Sequence, residues 1–583
     1  MHAFRAWTAA VAFLAPFAAA AALTTNGSSD GQICEHSPNS RRCWAAGLTI
    51  DDDATHRWPN TGRIIEYNFD ITNTTCNPDG HGPRVCLLIN NQYPGPVVSG
   101  SWGDTVRITV TNHMQNNGTE IHWHGLRQLG TNPMDGTNGI TSCPIAPGGS
   151  KTYTFQLTQH GTSWYHSHFS AQWGDGVFGP IVVHGPATAD YDVDLGSMML
   201  SDWFYQTAFQ TYYTVNANLQ LLPTGDLAAS GPPPAENILI NGTGKSLDGQ
   251  GEFFTTTLKH GQRYRLRLIN GAIDNQLLVT LDGHPFEVIA ADFVPVQPFT
   301  TTQLLLNNGQ RYDVIITANQ SIGNYWFHAN VSDACRSFNQ NRGRAIFSYE
   351  GSEPGEPDED LSELNATCDD PQLVPWVPES VPREGFESAV QTLEWDALAT
   401  GPTAANENIV FWSVNGSSIK VELGEPILSS IYHHGPNATL PAAANVVNIP
   451  HGAEWTYWII QEPEDSLVPI PHPVHLHGHD FFILGHGSGL WNASVPLNFD
   501  NPPRRDTATL PSGGWLLLAF KADNPGAWLM HCHIAWHVSQ GLAVTFLEGR
   551  DQIPSKPDGY DETCTAWNAY AEDAFWGQSD SGL

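Results

Sequence analysis

The histidines of this chain are concentrated in four short segments, HWHG at 122, WYHSH at 164, HPVHLHGH at 472 and HCHIAWH at 531. Residues i and i+2 of a β-strand share a face, so each H-x-H pair directs two imidazoles at one point. Four such pairs supply the side chains of His122, His124, His166, His168, His475, His477, His531 and His533. Imidazoles suit borderline-soft transition metals better than Ca²⁺ or Mg²⁺, which prefer oxygen. The pattern predicts a metal cluster, with copper as the leading choice.

A second site is predicted by Cys532, which lies between His531 and His533 and therefore points to the opposite face of the strand. His472 and His537 fall outside the four pairs. Two imidazoles and one thiolate form the trigonal ligand set of a blue-copper electron-transfer centre. One strand would then connect the two sites through a few backbone bonds.

A single H-x-H pair is more often chance than a ligand set, as HGH at 477 illustrates within this chain. Four pairs together with H-C-H-x₃-H are not explained in that way. His328 occupies an equivalent position in FHAN, but Asn330 replaces the second imidazole. We therefore expect the middle part of the chain to hold no copper.

Internal repeats predict the architecture. GTSWYHSH from 161, GNYWFHAN from 323 and GAWLMHCH from 526 align without gaps, and short alternating runs such as TVRITVTN and RYRLRLIN indicate strands throughout. A chain of 583 residues is also too long for one core. We predict an all-β protein of three consecutive Greek-key barrel or sandwich domains. Their expected ranges are 45–187, 188–352 and 391–583, with 353–390 as an acidic, proline-rich linker.

Several features predict a secreted, soluble protein. Residues 1–22 have the basic start, apolar run and small residues of a signal peptide, and no later run reaches the roughly 18 apolar residues of a membrane span. The net charge of −34 disfavours nucleic acid and anionic membranes as partners. Glycosylation is predicted by ten N-x-S/T sequons, at Asn26, Asn73, Asn117, Asn241, Asn319, Asn330, Asn365, Asn415, Asn437 and Asn492.

The chain has nine cysteines, an odd count that leaves Cys532 over for the metal site. The other eight could form four disulfides in an oxidising compartment, in a connectivity that spacing alone does not give. They are Cys34, Cys43, Cys76, Cys86, Cys143, Cys335, Cys368 and Cys564.

At these residues the chain resembles the multicopper oxidases, and among them the ascomycete-type laccases, with all four histidine motifs in order over most of residues 45–583. The resemblance implies cupredoxin-like domains, a monomer, and four coppers per chain that take single electrons from small phenols or aromatic amines, such as lignin-derived phenols, and reduce O₂ to two waters. It implies type 1 copper on His472, Cys532 and His537, type 2 copper on His122 and His475, and a type 3 pair on His124, His166, His168, His477, His531 and His533.

Further residues have expected roles. The axial position of a His₂Cys site falls ten residues after the cysteine, at Leu542, which cannot coordinate and so should favour a strong oxidant. By resemblance, Asp135 would relay protons beside the trinuclear site, although it could also be an ordinary turn residue before Gly136. Glu236 would accept the phenolic proton in the substrate pocket, and its alternative is a solvated carboxylate at the start of a strand.

The resemblance also covers the end of the chain and the disulfides. DSGL would insert towards the trinuclear site as a plug that needs no further cleavage, and the alternative is a frayed tail. These four residues are Asp580, Ser581, Gly582 and Leu583. The implied bridges are Cys34–Cys43, Cys143–Cys564 and Cys335–Cys368, and the closeness of Cys76 and Cys86 suggests a fourth, local bridge.

Four other functions compete with a laccase. A ferroxidase needs acidic residues near the type 1 histidines, and Ala535 stands where some relatives have a carboxylate. Leu542 in place of methionine disfavours an ascorbate oxidase. A bilirubin-oxidising enzyme is a further relative. A non-catalytic copper-binding or structural protein is the alternative outside the enzymes, although such chains typically lose ligands that this one retains.

Overall fold

The computed structural model describes residues 34–225, 230–337, 339, 341–358, 364–399, 408–450, 454–575 and 577–583. The predicted signal peptide at 1–22 and the sequon at Asn26 lie outside these residues. The described chain forms six β-sheets, two in each third of the sequence. The all-β prediction is confirmed.

The first third forms two four-stranded sheets, β2-β1-β4-β6 and β3-β8-β7-β5. Alternate residues of β4, Val106, Ile108 and Val110, are buried between the sheets, as the period of a strand requires. The strands are β1 (Ile64–Cys76), β2 (Arg84–Ile89), β3 (Val98–Ser101), β4 (Thr105–Asn112), β5 (Ile121–His124), β6 (Ser150–Gln156), β7 (Gly161–Ser167) and β8 (Phe178–His184).

The middle third contains a six-stranded sheet, β10-β9-β12-β17-β14-β15, and a five-stranded sheet, β11-β19-β18-β13-β16. Its strands are β9 (Val193–Trp203), β10 (Asn237–Ile240), β11 (Phe254–Leu258), β12 (Arg263–Asn270), β13 (Leu277–Leu281), β14 (Phe286–Ala291), β15 (Val294–Thr301), β16 (Leu304–Leu306), β17 (Arg311–Thr317), β18 (Asn324–Val331) and β19 (Arg342–Tyr349). Helix α1 (Ala208–Leu219) begins at a capping box in which Thr207 and Gln210 satisfy each other's backbone N–H groups.

The last third repeats this plan with the sheets β21-β20-β23-β28-β25-β26 and β22-β30-β29-β24-β27. Its strands are β20 (Gln391–Ala399), β21 (Val410–Val414), β22 (Val446–Ile449), β23 (Trp455–Gln461), β24 (His472–Leu476), β25 (Phe481–Ser488), β26 (Arg504–Arg505), β27 (Thr507–Leu510), β28 (Gly514–Lys521), β29 (Gly526–Cys532) and β30 (Ala543–Glu548). The helices are α2 (Phe386–Ala389), α3 (Ile427–His434), α4 (Ala535–Ser539) and α5 (Tyr560–Asp573).

The described part of the acidic segment 353–390 contributes side chains to two hydrophobic clusters. Leu373 is buried in the hydrophobic cluster of the middle third, whereas Val381 and Phe386 are buried in a cluster of the last third. The segment therefore connects the two units through packed contacts. The exact ranges of the three domains stay a prediction.

The structure contains the four disulfides Cys34–Cys43, Cys76–Cys86, Cys143–Cys564 and Cys335–Cys368. The Cys143–Cys564 bridge spans 421 residues of sequence and joins the first third to α5. Cys532 is buried, and it is the one cysteine of the described chain outside a bridge. None of the helices within the described ranges is long and apolar enough to cross a membrane.

Candidate functional site

Two antiparallel strand pairs carry the histidine motifs. In the first third, β5 pairs with β7 so that His122 lies opposite His166. In the last third, β24 pairs with β29 so that His475 lies opposite His531. Residues directly opposite in an antiparallel pair project to the same face, so each pair of strands presents its imidazoles as one group. The two groups face each other between the first and last thirds.

The eight predicted cluster histidines converge in the structure, and each is at most 1 % exposed. The ring of His122 stacks on that of His477 with centroids 3.7 Å apart. Likewise, the ring of His124 stacks on that of His475 at 3.8 Å. One triad of mutually close ring nitrogens comprises His168, His477 and His531. Both strand pairs therefore contribute side chains to a single buried cluster.

The three predicted ligands of the mononuclear site also meet. The Cys532 Sγ atom lies 3.5 Å from His472 Nδ1 and 3.3 Å from His537 Nδ1. The two Nδ1 atoms are 3.2 Å apart, which makes the three donor atoms nearly equidistant. His472 begins β24, Cys532 ends β29 and His537 lies on α4. This arrangement is the trigonal His₂Cys set that the sequence predicted.

The residues present fit copper at both places. Buried ring nitrogens normally find hydrogen-bond partners, yet several in the cluster have none among the described residues. These atoms are Nε2 of His122, His166 and His475, Nδ1 of His533 and both ring nitrogens of His168. Burial is the leading cause that lowers the pKa of His124, His166, His168, His475, His477, His531, His533 and His537. The imidazoles are therefore neutral, which is the form that binds a metal.

Carboxylates behind the cluster orient its rings. His477 Nδ1 donates to Asp135 Oδ2 at 2.9 Å, and His122 Nδ1 donates to the backbone oxygen of the same residue at 3.0 Å. Thr137 Oγ1 also donates to Asp135 Oδ2, at 2.6 Å. Hydrogen bonds of this kind fix the tautomer and direct the other ring nitrogen towards the metal. Asp135 therefore lies where the sequence predicted, in contact with two cluster histidines.

A second carboxylate, Asp506, was missed by the sequence analysis. Its Oδ1 atom lies 3.2 Å from His124 Nε2, and its backbone oxygen accepts from His475 Nδ1 at 2.8 Å. Arg311 donates to both carboxylate oxygens, at 2.7 and 2.6 Å. Burial raises the pKa of Asp506 to about 6, against the opposing effect of Arg311. In the sequence, Asp506 stands in the charged segment RRDT from 504, and nothing in that segment indicates that its side chain contacts histidines.

The middle third reaches the cluster through the turn before β17. Arg311 begins that strand, and Gly309 in the turn has a φ of +87°. A Cβ atom at Gly309 would lie 2.8 Å from His124 Cε1 and 3.1 Å from His533 Cδ2. A side chain there would displace the rings, so this position requires glycine. The middle third thus packs directly against the cluster histidines.

A cavity of about 170 Å³ lies beside the mononuclear site. His537 and Trp536 form one side, and Trp412, Ile470 and a run of prolines from 232 to 234 supply apolar walls. Asp274 is the carboxylate in this wall. Burial, together with the nearby Asp202 carboxylate, raises the pKa of Asp274 to about 8. Among the described residues of its wall, the cavity combines mostly apolar side chains with one carboxylate, and it lies next to a histidine of the mononuclear donor set.

The structure does not bring Glu236 to this cavity. Its Oε2 atom accepts a hydrogen bond from the backbone N–H of Tyr205 at 2.9 Å, outside the cavity wall. Ala235, the preceding residue, is buried in the same hydrophobic cluster as Trp536. Successive side chains of an extended chain alternate, so Glu236 points away. Asp274 lines this cavity and Glu236 does not, so the expected position of Glu236 in the cavity wall is not observed.

Leu542, the predicted axial residue, lies beside the mononuclear donor set. Leu542 is fully buried in the same hydrophobic cluster as Cys532, and its backbone oxygen accepts from Cys532 N at 3.2 Å.

The C-terminal residue Leu583 is also buried, and its backbone oxygen accepts from Ser539 Oγ at 3.2 Å. Asn138 Nδ2 donates to His168 O at 2.6 Å and lies 3.5 Å from Gly582 O. The tail is packed between α4 and the His168 segment rather than frayed.

Two predicted features lie away from the site. His328 is buried in the middle third, with its Nε2 atom 3.0 Å from Asp282 Oδ1. Asn330 is only 7 % exposed, although it belongs to a sequon. A glycan needs an exposed asparagine, so this sequon is unsuited to carry one.

Comparisons with known proteins agree with this geometry. Family models described as multicopper oxidase match residues 70–188, 196–352 and 417–552. "Laccase-3" of Botryotinia fuckeliana is 47 % identical over 466 residues, which cover 78 % of this chain and 100 % of the relative. "Laccase-1" of Melanocarpus albomyces is 41 % identical over 573 residues, 94 % of this chain and 89 % of the relative. The crystal structure of the laccase from Botrytis aclada superposes with a TM-score of 0.85 at 39 % identity and covers 94 % of this chain and 100 % of that one. The chain belongs to the multicopper oxidase family and is an enzyme of the laccase type.

Proposed function

We propose that the chain oxidises small phenols and aromatic amines by one electron at a time and uses four such electrons to reduce O₂ to two waters. The observation that carries this proposal is the shared strand β29, in which Cys532 belongs to the mononuclear donor set and His531 to the cluster. Because these two residues are adjacent in sequence, the backbone between them connects the two sites. Copper bound there would supply the one-electron redox chemistry that protein side chains lack.

The ligand assignment is the one that the resemblance implies, and the close approach of the donor atoms supports it. His472, Cys532 and His537 would hold a type 1 copper, for which Leu542 offers no axial donor. His122 and His475 would hold a type 2 copper. The remaining six histidines would hold a type 3 pair, which gives four coppers per chain: His124, His166, His168, His477, His531 and His533.

Substrate oxidation would occur in the cavity beside His537. A phenol that loses an electron also loses its hydroxyl proton, and a carboxylate in the wall can accept that proton. Asp274 is placed for this role, whereas Glu236 is not. The apolar walls formed by Trp412, Ile470 and the prolines suit an aromatic ring without demanding one particular substituent pattern.

Proton supply to O₂ would use Asp135. Its carboxylate contacts two cluster histidines and the hydroxyl of Thr137, so a proton can be held beside the place where water forms. The packed tail from Asp580 to Leu583 would close the approach to the cluster from that side. We further propose that the mature chain is secreted, monomeric and glycosylated at exposed sequons.

The first test is O₂ uptake by the copper-loaded protein with 2,6-dimethoxyphenol and, separately, with Fe²⁺. We expect about four coppers per chain, an intense visible thiolate-to-copper absorption and phenol-driven uptake, as a His₂Cys site joined to a cluster requires. One copper or none, without uptake, would refute an oxidase. Uptake with Fe²⁺ alone would replace the phenol oxidase by a ferroxidase.

The pH dependence of phenol oxidation tests Asp274. An acceptor must be deprotonated, and the pKa of Asp274 is raised to about 8, so kcat/KM for a phenol should rise with pH until about that value. The other titratable or charged side chains in the described cavity wall are His537 and Arg336. In Asp274→Asn this rise should disappear and kcat/KM should fall by about 10²-fold or more, the typical contribution of a general base.

Ferrocyanide provides the control for this prediction because it donates an electron without a proton. Its oxidation should be within about twofold of wild type in Asp274→Asn, since only the acceptor has been removed. Glu236→Gln is the matched carboxylate control, and we expect it to retain the wild-type phenol profile. An unchanged phenol profile in Asp274→Asn would eliminate the proposed role.

A further inference from the structure

The loop between β12 and β13 carries Asp274 to the cavity, and one buried carboxylate holds its backbone. Asp202 Oδ1 accepts from Ile273 N at 2.9 Å, while Oδ2 accepts from Asp274 N at 3.0 Å and from Asn275 N at 3.2 Å. Oδ2 also accepts from Asn275 Nδ2 at 2.9 Å. Asp202 lies near the end of β9 and is only 4 % exposed. Three consecutive backbone N–H groups are thus fixed by a single side chain.

The same loop is fixed on its other side by the mononuclear site. Ile273 O accepts from Ala535 N at 2.8 Å, and Ala535 begins α4, the helix that carries His537. Ala272 O accepts from Asn308 Nδ2 at 2.8 Å. The loop therefore has a defined position relative to α4. Asp202 adds the contacts that fix the backbone of Asp274 itself.

The hydrogen bonds that Asp202 accepts are of a strong kind. Hydrogen bonds to an ionised carboxylate are roughly twice as strong as neutral ones, and this carboxylate accepts four of them. Asp202 nevertheless lies next to a second carboxylate, Asp274, and like charges that close disfavour each other. A neutral hydrogen-bond acceptor in place of Asp202 would avoid the repulsion with Asp274. The presence of two neighbouring buried carboxylates therefore indicates a role for Asp202 besides packing.

We propose that Asp202 is a positioning residue for phenol oxidation, which holds the backbone of Asp274 so that its carboxylate stays at the cavity beside His537. The inference rests on the proposed role of Asp274. Asp202 does not line the cavity, so it would not contact a substrate bound there. It acts through the loop, and a displacement of the acceptor by about 1 Å can cost 10²-fold in rate.

The test is the Asp202→Ala variant of the copper-loaded enzyme, assayed with 2,6-dimethoxyphenol and with ferrocyanide. We expect kcat/KM for the phenol to fall by about tenfold to hundredfold, because the acceptor is displaced. Ferrocyanide oxidation and the visible absorption of the mononuclear site should stay within about twofold, because neither depends on proton acceptance. An equal loss with both donors, or no loss with either, would overturn the inference.

Two variants separate positioning from folding. Asp202→Asn keeps an amide oxygen that can accept from Asp274 N and Asn275 N, so it should recover most of the phenol activity lost in Asp202→Ala. Asp194→Ala is the matched control, since Asp194 lies on the same strand β9 and also accepts a backbone N–H, from Gly196 at 2.9 Å. We expect Asp194→Ala to show no preferential loss with the phenol.

If Asp202→Ala does not fold, Asn275→Asp tests the same contact from the other side. A carboxylate at 275 would face Asp202 in place of a donor and push the loop away. The expected result is again a selective loss of activity with the phenol. If the variant keeps the same fraction of wild-type activity with the phenol and with ferrocyanide, the result would count against the inference. Asp274→Asn is assayed in parallel. If Asp274→Asn oxidises the phenol normally, the proposed role of Asp274 fails; if Asp274→Asn is impaired and both loop variants are not, the positioning role alone fails.

Discussion

Cys532→Ser is expected to lower the oxidation of both phenol and ferrocyanide by about three orders of magnitude or more, equivalent to about 4 kcal/mol or more of activation free energy. A serine hydroxyl does not deprotonate like a thiol and is a poor ligand for copper at a site with two imidazoles. The side chain is fully buried and contacts both His472 and His537, so no neighbouring group can replace it. Both donors should be affected because the electron enters the protein here.

The fold should survive this substitution, which makes the result specific. The visible thiolate absorption should vanish, while the copper bound by the histidine cluster should remain detectable by EPR. Met530→Leu is the matched control, because Met530 lies two residues earlier on the same face of β29 and is equally buried. It should keep the absorption and most of the activity. Undiminished ferrocyanide oxidation in Cys532→Ser would refute the assignment of the entry site.

Arg311→Leu is expected to destabilise the protein by about 3–5 kcal/mol, since it leaves the carboxylate of Asp506 buried without its cation. Arg311 is fully buried, donates to both oxygens of Asp506 and also donates to Thr162 O at 3.2 Å. Because the entropy of unfolding grows with chain length, a loss of this size in a chain of 583 residues should lower the midpoint of thermal unfolding by roughly 2–4 °C. Because Asp506 contacts His124 and His475, copper binding by the cluster should weaken as well.

Arg267→Leu separates the two effects. Arg267 is equally buried and pairs with Asp194 and Asp313 inside the middle third, away from the histidines. It should lower thermal stability to a similar degree but leave the copper content and the O₂ uptake per folded molecule unchanged. If Arg311→Leu and Arg267→Leu give the same copper content, Arg311 acts only on stability. Differential scanning calorimetry and metal analysis provide the two readouts.

The convergence of the histidines could be predicted from sequence because the pattern that produces it is local. H-x-H in a strand, and a cysteine on the opposite face between two histidines, follow from the alternation of side chains. His537 is on a helix five residues after Cys532, so the same short segment also gives its distance from the strand. The all-β fold was predictable for a related reason, since each repeat carries its own strand pattern.

Residues that act on the ligands could not be predicted in this way. Asp506, Arg311 and Gly309 meet the histidines only through contacts between distant parts of the chain, and each resembles an ordinary turn or charged residue in its own segment. The carboxylate in the cavity wall shows the same limit. Glu236 and Asp274 both lie near strand ends, and only the direction of the backbone decides which of them faces the cavity.

The histidine cluster is built from two segments that are far apart in the chain, one ending at His168 and the other at His533. During synthesis at about 5–20 residues per second, roughly 20–70 seconds separate the emergence of these two residues. In that interval the first unit presents an incomplete set of four imidazoles, without the partners that would close the site. We therefore expect the cluster to bind copper only after the last unit has docked, because copper captured earlier would meet only four of the eight cluster histidines.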